Sequence, residues 1–340
     1  MSDPILSQLD PDASIVLVRL RSLGDTVLVT PAFSLLRRAM PRASIHVAMD
    51  ERFADVLAGQ PDIDGVLRLA TGAGTLGKAR LLRDLRTLRP SLCVDMHGGT
   101  TAAWFTALSG ARWRAGVAHF RQRWAYNIRI PRPQHVLGRD SDRDVHTAEH
   151  HAAAIMHLGG RVDAIPGARL AAVPVQAEQP YAVLHAGAAY ATKTWQLSHF
   201  LRLASQLRKR HGLEPIFVAG PGEADLSAKV SGFGVRQGLP LADLMSLLAG
   251  ARLFVGNDSG PAHIAAAFDV PCVTIFGSSN SKIWHPWKTQ HRVVETAWDC
   301  KPCPGDRCYA FDEPRCILSV TPAAVTQAVD ELLAECPRAS

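Results

Sequence analysis

Short apolar runs alternate with longer amphipathic stretches through the first half of this chain. The apolar runs, rich in β-branched residues, predict buried strands over 14–19, 44–48, 65–69 and 92–95. The stretches with helical periodicity predict helices over 26–40, 53–58, 78–88 and 101–108. This alternation is typical of a parallel sheet with helices on both faces.

The second half repeats the pattern after a helix over 147–158 and a stretch punctuated by Pro166, Pro174 and Pro180, which is the predicted linker. Its predicted strands cover 181–185, 215–219, 253–256 and 270–275, and its helices cover 198–210, 241–248, 262–268 and 323–336. We therefore expect two doubly wound α/β domains, residues 1–172 and 173–340, with the last helix able to pack back toward the first domain. Ligands of such sheets bind beyond the carboxyl ends of the strands, so a cleft between the domains is the expected site.

Composition excludes several classes of protein. Of 340 residues, 47 % are hydrophobic and 20 % are charged, which is unlike a disordered, collagenous or coiled-coil chain. No apolar run approaches the roughly 18 residues that a spanning helix needs. The first residues include Asp3, Asp10 and Asp12 and no basic residue before Arg19, which is unlike a signal peptide. We expect a cytoplasmic protein.

The net charge of +6 is concentrated in one arginine-rich stretch. Residues 112–139 contain seven arginines and no Asp or Glu, with Trp113, Phe120, Trp124 and Tyr126 interleaved. Such a stretch suits a polyanion, whether nucleic acid, an anionic membrane face or a phosphorylated glycolipid. A solvated surface with scattered arginines is the alternative.

Four of the seven cysteines crowd into one C-x2-C-x4-C-x7-C segment, at Cys300, Cys303, Cys308 and Cys316. Clustered thiols in a reducing compartment bind a metal or stay free more often than they form disulfides. Four thiolates can coordinate zinc or iron tetrahedrally, so the segment predicts a structural metal site, although Cys308 and Cys316 are irregularly spaced for one.

Two further motif matches point to other chemistry. Gly72, Gly74 and Gly77 form a G-x-G-x-x-G before a predicted helix, the outline of a dinucleotide site, but Arg68 interrupts the preceding strand. His146, Glu149 and His150 form an H-x-x-E-H, as in inverted zinc peptidases. We favour simpler interpretations, a flexible surface loop for the first match and general histidine richness for the second.

The first of three informative strand-to-helix turns contains Asp25. Gly24 permits a tight turn there, and Asp25 follows at or near a helix N-terminus. It either caps the helix or acts as a general base, and its position alone supports both interpretations.

The other two turns carry groups suited to a nucleotide diphosphate-sugar. In the turn 253–263, Gly256 and Gly260 let a ligand approach the backbone, and N–H groups at a helix start can cradle a diphosphate. Asp258 can accept hydrogen bonds from sugar hydroxyls. In the turn after strand 181–185, Lys193 can neutralise phosphate charge, and Glu223 after the next strand can hold ribose hydroxyls.

Together these segments resemble the bacterial ADP-heptose:lipopolysaccharide heptosyltransferases. The resemblance rests on RLRSLGD at 19–25, VTP at 29–31, TKTW at 192–195 and GNDSGPAH at 256–263, in the family's order over nearly the whole chain. It implies an inverting glycosyltransferase with the two-domain GT-B fold, in which Rossmann-like domains face a central cleft. The cysteine segment also resembles one found in several branches of the family.

The resemblance assigns roles residue by residue. Asp25 falls on the catalytic aspartate and Lys193 on the diphosphate-facing lysine. The donor-binding positions fall on Thr192, Glu223, Leu239, Asp258, Ser259, Gly260, Pro261 and His263. The chain has Ala188 and Ala189 where some members carry phosphate-binding hydroxyls, and Gln196 where a proline often follows the tryptophan.

The implied reaction moves heptose from ADP-heptose to the inner core of lipopolysaccharide, with Asp25 as base and no cofactor required. The implied partners are ADP-heptose, the lipid A–inner core acceptor and an anionic membrane surface, and not nucleic acid; the enzyme would be peripheral to the inner membrane. Arg121, Arg123, Arg129 and Trp124 are the predicted acceptor contacts, and Tyr126, like Trp124, is expected to lie against the acceptor's sugars or the membrane interface. The alternatives are another nucleotide-sugar donor, or a non-catalytic nucleotide- or nucleic-acid-binding protein.

Overall fold

Two separate parallel sheets organise the chain in a computed structural model that describes residues 3–221, 223 and 226–336. The first compact unit ends at Ala171 and the second begins at Ala172. In the described residues each unit contains one six-stranded sheet with every pairing parallel. Helices cover the sheets, as expected for strands connected by crossovers.

The first unit orders its strands β3-β2-β1-β4-β5-β6. The strands are β1 (Ser14–Val18), β2 (Ser44–Asp50), β3 (Gly65–Leu69), β4 (Leu92–Asp95), β5 (Trp113–Val117) and β6 (Ile128–Ile130). The helices are α1 (Leu23–Leu28), α2 (Thr30–Ala39), α3 (Glu51–Ala54), α4 (Thr75–Thr87), α5 (Thr100–Leu108), α6 (Pro133–Val136) and α7 (Thr147–Leu158), with 3-10 turns at Ile5–Gln8, Asp55–Leu57 and Arg123–Ala125.

The predicted helix over 26–40 is two helices, α1 and α2, which meet at Val29. Pro31 has no N–H to donate to the carbonyl of Val27, so the helical ladder is interrupted there. The Thr30 hydroxyl donates to that carbonyl instead, at 2.8 Å. The short helix α1 begins after Ser22 and carries Asp25 in its first turn.

The second unit orders its strands β12-β11-β10-β7-β8-β9. The strands are β7 (Tyr181–His185), β8 (Glu214–Ala219), β9 (Gly234–Gln237), β10 (Leu253–Asn257), β11 (Cys272–Ile275) and β12 (His291–Val294). The helices are α8 (Leu197–His211), α9 (Leu241–Ala249), α10 (Gly260–Ala267), α11 (Ser281–Trp284), α12 (Arg315–Leu318) and α13 (Pro322–Glu335), with a 3-10 turn at Ala191–Lys193.

The core of each unit lies between its sheet and the surrounding helices. Residues 15–18 of β1 and all of β7 and β10 are buried, as expected for central strands covered on both faces. The last helix, α13, packs within the second unit, where Val325, Val329 and Leu332 join the core with Trp195 and Phe200. None of the helices in the described ranges combines the length and apolar character needed to cross a bilayer.

Candidate active site

In the first unit, Asp25 is fixed by two neighbours at the carboxyl end of β1. Arg19 places a guanidinium nitrogen 2.5 Å from Oδ1, and the hydroxyl of Ser22 donates to Oδ2 at 2.9 Å. The Ser22 amide also approaches Oδ2, at 3.4 Å, so Asp25 caps the start of α1 as well. Its side chain is 18 % exposed. Each carboxylate oxygen can accept two hydrogen bonds, so Oδ1 has capacity for a further donor.

Arg19 is the residue of this site that the sequence reasoning passed over, although it begins the segment 19–25. A second guanidinium nitrogen donates to the carbonyl of Met96 at 2.7 Å, which ties the end of β1 to the end of β4. Burial lowers the pKa of Arg19, while the charges of Asp25 and Asp95 oppose that shift. An arginine nevertheless keeps its proton, so Arg19 is a fixed cation that aims the Asp25 carboxylate.

Asp95 orders the loop after β4. Its Oδ1 accepts from the amides of His97 and Gly98 at 2.7 and 2.8 Å, and its Oδ2 accepts from the hydroxyl of Tyr126 at 2.6 Å. Tyr126 is only 4 % exposed. The prediction that Tyr126 contacts the acceptor is therefore wrong, because its hydroxyl is committed to a buried carboxylate.

Two histidines that feel the charge of Asp25, His97 and His150, are neutral at physiological pH. Burial, reinforced by the charges of Arg19 and Arg21, lowers the pKa of His97 to about 4. Burial and the neighbouring His119 lower the pKa of His150 to about 4 as well. At neutral pH these rings add no positive charge beside Asp25 and can still exchange hydrogen bonds.

In the second unit, Lys193 and Asp258 form an ion pair between the turns after β7 and β10. Lys193 Nζ lies 2.9 Å from Asp258 Oδ2, and the Ser279 hydroxyl donates to the same oxygen at 2.5 Å. Lys193 is 22 % exposed, whereas Asp258 is 8 % exposed. An ammonium carries three N–H groups, so Lys193 can hold Asp258 and also meet a phosphate.

The backbone around Thr192 fits tightly against two other loops. Thr192 donates to the carbonyl of Gly305 and accepts from the Ser278 hydroxyl at 3.1 Å. A Cβ on Gly277 would lie 2.0 Å from the Thr192 carbonyl oxygen. The close approach of these loops therefore requires glycine at 277 and fixes the 3-10 turn that carries Lys193.

Glu223 is linked to the start of α10 through His185. Its Oε2 lies 3.2 Å from His185 Nε2 and accepts from the Gly220 amide at 2.6 Å. His185 Nδ1 lies 3.0 Å from the hydroxyl of Ser259, the residue that precedes α10. Burial raises the pKa of Glu223, but the hydrogen bond and charge of His185 and the Gly220 amide outweigh it and leave that pKa below its ordinary value.

The remaining predicted donor residues lie around the same edge of the sheet. Gly260 and Pro261 form the first turn of α10, and His263 is buried in that helix. Leu239 is half-buried in the loop between β9 and α9. Asn257 braces the turn, because its side chain accepts from the Trp195 amide at 3.0 Å and donates to the Ala186 carbonyl at 2.9 Å.

The arginine-rich stretch folds as β5, the turn after it and the edge strand β6. Arg121, Arg123 and Arg129 are exposed, as is Trp124. Other arginines of the stretch have structural roles. Arg114 donates to the carbonyls of Ala125 and Ala111, and Arg139 makes a bidentate pair with Glu149.

The two motifs that suggested metal binding have different outcomes. His146 caps α7 by accepting from the Ala148 amide, while Glu149 binds Arg139. Cys300, Cys303, Cys308 and Cys316 are all free thiols, with Cys300 exposed and Cys316 buried. Within 3–221, 223 and 226–336, no three His, Cys, Asp or Glu side chains are grouped to hold a metal. The thiols therefore do not fit the predicted four-thiolate site.

The glycine motif at 72–77 lies on the surface beside β3, an edge strand. Gly72 and Gly74 have open space where a Cβ would project. A Cβ on Gly77 would lie 2.9 Å from the Ala73 side chain, a neighbour within the same loop. The exposure of Gly72 and Gly74 agrees with the surface-loop interpretation rather than the dinucleotide interpretation.

Comparison with known proteins points to one family. The model of the family described as "Glycosyltransferase family 9 (heptosyltransferase)" matches residues 78–310 of this chain. The chain is 25 % identical to lipopolysaccharide heptosyltransferase 1 of Pseudomonas aeruginosa, with 94 % of this chain and 98 % of the relative covered. It is 26 % identical to lipopolysaccharide heptosyltransferase 3 of Escherichia coli K12, with 93 % and 97 % covered.

Solved structures confirm the fold class. The E. coli ADP-heptose lipopolysaccharide heptosyltransferase II superposes with a TM-score of 0.77 at 18 % identity, covering 95 % of this chain and 99 % of that one. TibC, described as an iron-containing dodecameric glycosyltransferase from E. coli, superposes with a TM-score of 0.62 at 17 % identity, covering 96 % and 77 %. The predicted α/β fold of GT-B type is correct. The family match over residues 78–310 shows that this chain belongs to glycosyltransferase family 9, the heptosyltransferases, and is a glycosyltransferase rather than a non-catalytic binding protein.

Proposed function

We propose that this enzyme transfers heptose from ADP-heptose to the inner core of lipopolysaccharide, with inversion at the anomeric carbon and Asp25 as general base. The observation that carries the proposal is the fixed Asp25 carboxylate, held by Arg19 on one oxygen and Ser22 on the other. The names of the relatives, which include heptosyltransferases of lipopolysaccharide, support the substrate class.

The reaction is a single displacement. The acceptor oxygen forms a bond to the anomeric carbon as the bond from that carbon to the diphosphate oxygen breaks, and ADP leaves with the electron pair. Asp25 takes the proton of the acceptor hydroxyl. Oδ1 of Asp25 keeps capacity for a second hydrogen bond, and Arg19 and Ser22 prevent the carboxylate from rotating away.

The second unit would hold the donor. Lys193 supplies positive charge for the diphosphate, and the amides of Ser259 and Gly260 at the start of α10 supply N–H groups. Asp258 and Glu223 offer carboxylates for sugar hydroxyls, and half-buried Leu239 offers an apolar contact for adenine. Thr192, Pro261 and His263 shape the turns on which these groups lie.

The first unit would hold the acceptor. The exposed arginines Arg121, Arg123 and Arg129 suit the phosphates and acidic sugars of an inner core, and Trp124 offers a face for a sugar ring. These same charges favour an encounter with the anionic surface of a membrane. We therefore propose a cytoplasmic enzyme that meets its glycolipid at the inner membrane as a peripheral protein.

A different nucleotide-sugar donor is the second candidate. Ala188 and Ala189 stand in the donor turn and provide no hydroxyl for a phosphate. Both candidates are tested by mass spectrometry of products after incubation with truncated inner-core lipopolysaccharides and either ADP-heptose or other nucleotide-sugars. A mass increase of one heptose supports the proposal. Transfer only from another donor would overturn the donor assignment while leaving the fold and family intact.

A further inference from the structure

Two tryptophans of the first unit lie against each other on its surface. Trp104 is 50 % exposed and Trp124 is 56 % exposed, and their ring centroids are 4.6 Å apart in an edge-to-face arrangement. Leu108, which is 45 % exposed, follows one turn after Trp104 on α5. Contiguous exposed apolar surface of this kind marks a contact with another molecule or a membrane more often than scattered apolar residues do.

The helix that carries this surface has no charged residue. The sequence of α5 is TTAAWFTAL, so the side that faces water presents Trp104 and Leu108 rather than the charged side chains usual on a surface helix. Ala102, Phe105 and Thr106 are buried on the other side. Both faces of α5 are therefore suited to apolar surroundings.

The surface has a rigid base. Behind the tryptophans, Ala103 packs with Ala125 and Tyr126 in a small buried cluster. Gln122 donates to the Thr100 hydroxyl at 3.0 Å, which ties the turn before Trp124 to the start of α5. The two indole rings are thus presented by the fold itself and not by a loose loop.

Cationic residues border this apolar centre. Arg121 and Arg123 are exposed and lie within three positions of Trp124, and residues 112–139 contain no Asp or Glu. Indole rings prefer the boundary between lipid headgroups and acyl chains. Arginines near an anionic lipid surface are attracted to it. An apolar centre with a cationic border is complementary to an anionic bilayer.

We propose that Trp104, Leu108 and Trp124 form an interfacial anchor that inserts into an anionic bilayer surface, with Arg121 and Arg123 binding lipid headgroups. The inference deepens the proposed function, because it names the part of the molecule that holds a peripheral enzyme at the membrane of its glycolipid. It concerns lipid binding alone, so it can be tested with vesicles that contain no lipopolysaccharide.

The experiment is flotation of the full chain with vesicles of phosphatidylcholine alone or of phosphatidylcholine mixed with phosphatidylglycerol. We expect the protein to float with the mixed vesicles and the double variant Trp104→Ala/Trp124→Ala to partition less strongly by roughly tenfold or more. Lipids brominated along the acyl chain should quench tryptophan fluorescence in the wild type and much less in that variant. Leu76→Ala removes an apolar residue that is 88 % exposed on α4, outside the anchor, and should float like the wild type.

The arginines supply a second, separable readout. Arg121→Ala/Arg123→Ala should weaken binding to the mixed vesicles and reduce its salt dependence, whereas the tryptophan variant should keep that dependence. Equal flotation of wild type and tryptophan variant would overturn the proposal. The proposal would also be overturned if light scattering showed a dimer in the wild type and a monomer in the tryptophan variant. Displacement of the protein from vesicles by an oligonucleotide would overturn it as well. Trp104→Ala/Leu108→Ala leaves the proposed acceptor contacts in place, so this variant should lose vesicle binding and retain heptose transfer to a detergent-dispersed acceptor. Absence of heptose transfer in the wild type, with vesicle binding intact, would count against the proposed function alone.

Discussion

Lys193 and Asp258 form an ion pair that joins two turns of the second unit, with Nζ and Oδ2 2.9 Å apart. Asp258 is nearly buried and also accepts from Ser279, so the lysine is held in a defined position before any phosphate arrives. A charge whose position is already fixed stabilises a developing diphosphate without further ordering.

Lys193→Ala should therefore weaken use of the donor. A charge-assisted hydrogen bond contributes about 1.5–3 kcal/mol, so kcat/KM for the nucleotide-sugar should fall by roughly 10- to 100-fold. Lys209→Ala, which removes an exposed lysine of α8, is the matched control. Steady-state kinetics would measure kcat/KM for the nucleotide-sugar in both variants. Equal values would show that Lys193 does not bind the donor.

Two glycines beside Glu223 allow a steric test of the donor site. A Cβ on Gly187 would lie 1.9 Å from Glu223 Oε1, whereas a Cβ on Gly220 would lie 3.7 Å from the nearest Glu223 atom. Gly187→Ala should displace the carboxylate and raise the donor KM severalfold, and Gly220→Ala should stay near the wild type. Calorimetric titration with ADP-sugar would show the difference. If both substitutions had the same effect, the position of Glu223 would not matter for donor binding.

The sequence predicted the central strands well because they are apolar along their whole length. It missed β5, β6, β9 and β12, which are short and carry polar residues such as Arg114, since strands at or near a sheet edge are covered less completely. The candidate site residues likewise divide into those that a sequence motif indicates and those that only the folded structure reveals. The motifs singled out the turn residues Asp25, Lys193 and Asp258 as candidates. Arg19 and Ser279 become candidates only through their partners in the folded chain. Tyr126 was assigned to the acceptor because spacing cannot reveal its bond to Asp95.

Asp25→Asn tests the general base. The amide keeps the size of the carboxylate but cannot take a proton, so kcat should fall by roughly 100- to 10,000-fold. ADP binding should be unchanged, because the donor groups belong to the second unit. Asp12→Asn, at an exposed aspartate paired with Arg42, is the control in the same unit. Near-normal turnover by Asp25→Asn would refute the assignment.

The neutral histidine His150 should make stability depend on pH. Its pKa in the folded protein, lowered by burial to about 4, rises to about 6.5 on unfolding, so the unfolded chain binds more protons between these values. The contribution of His150 to the free energy of unfolding is therefore complete above pH 6.5 and decreases as the pH falls toward 4. At pH 5 this contribution is smaller by about 2 kcal/mol than at neutral pH.

Urea unfolding at pH 7 and pH 5 measures this effect. The wild type should lose more stability between the two pH values than His150→Gln does, whatever the stability of the variant at pH 7. The neighbouring His151, whose pKa is lowered well below its ordinary value, leaves part of the slope in place. Identical slopes in the two proteins would show that His150 does not titrate across this window.

Arg121, Arg123 and Arg129 should set the affinity for the acceptor. All three are exposed and lie on or just before β6, so replacing them with alanine removes three charges and little buried surface. The acceptor KM should rise severalfold, the donor KM should stay unchanged, and turnover should depend less on salt, because surface charge interactions are screened by ions. The control is the simultaneous replacement of Arg80, Arg83 and Arg86 on α4, which lowers net charge by the same amount at another exposed surface. If this control raised the acceptor KM as much, overall charge rather than the β5–β6 surface would determine acceptor binding. If the Arg121, Arg123 and Arg129 variant changed the donor KM and the acceptor KM together, the cause would be misfolding.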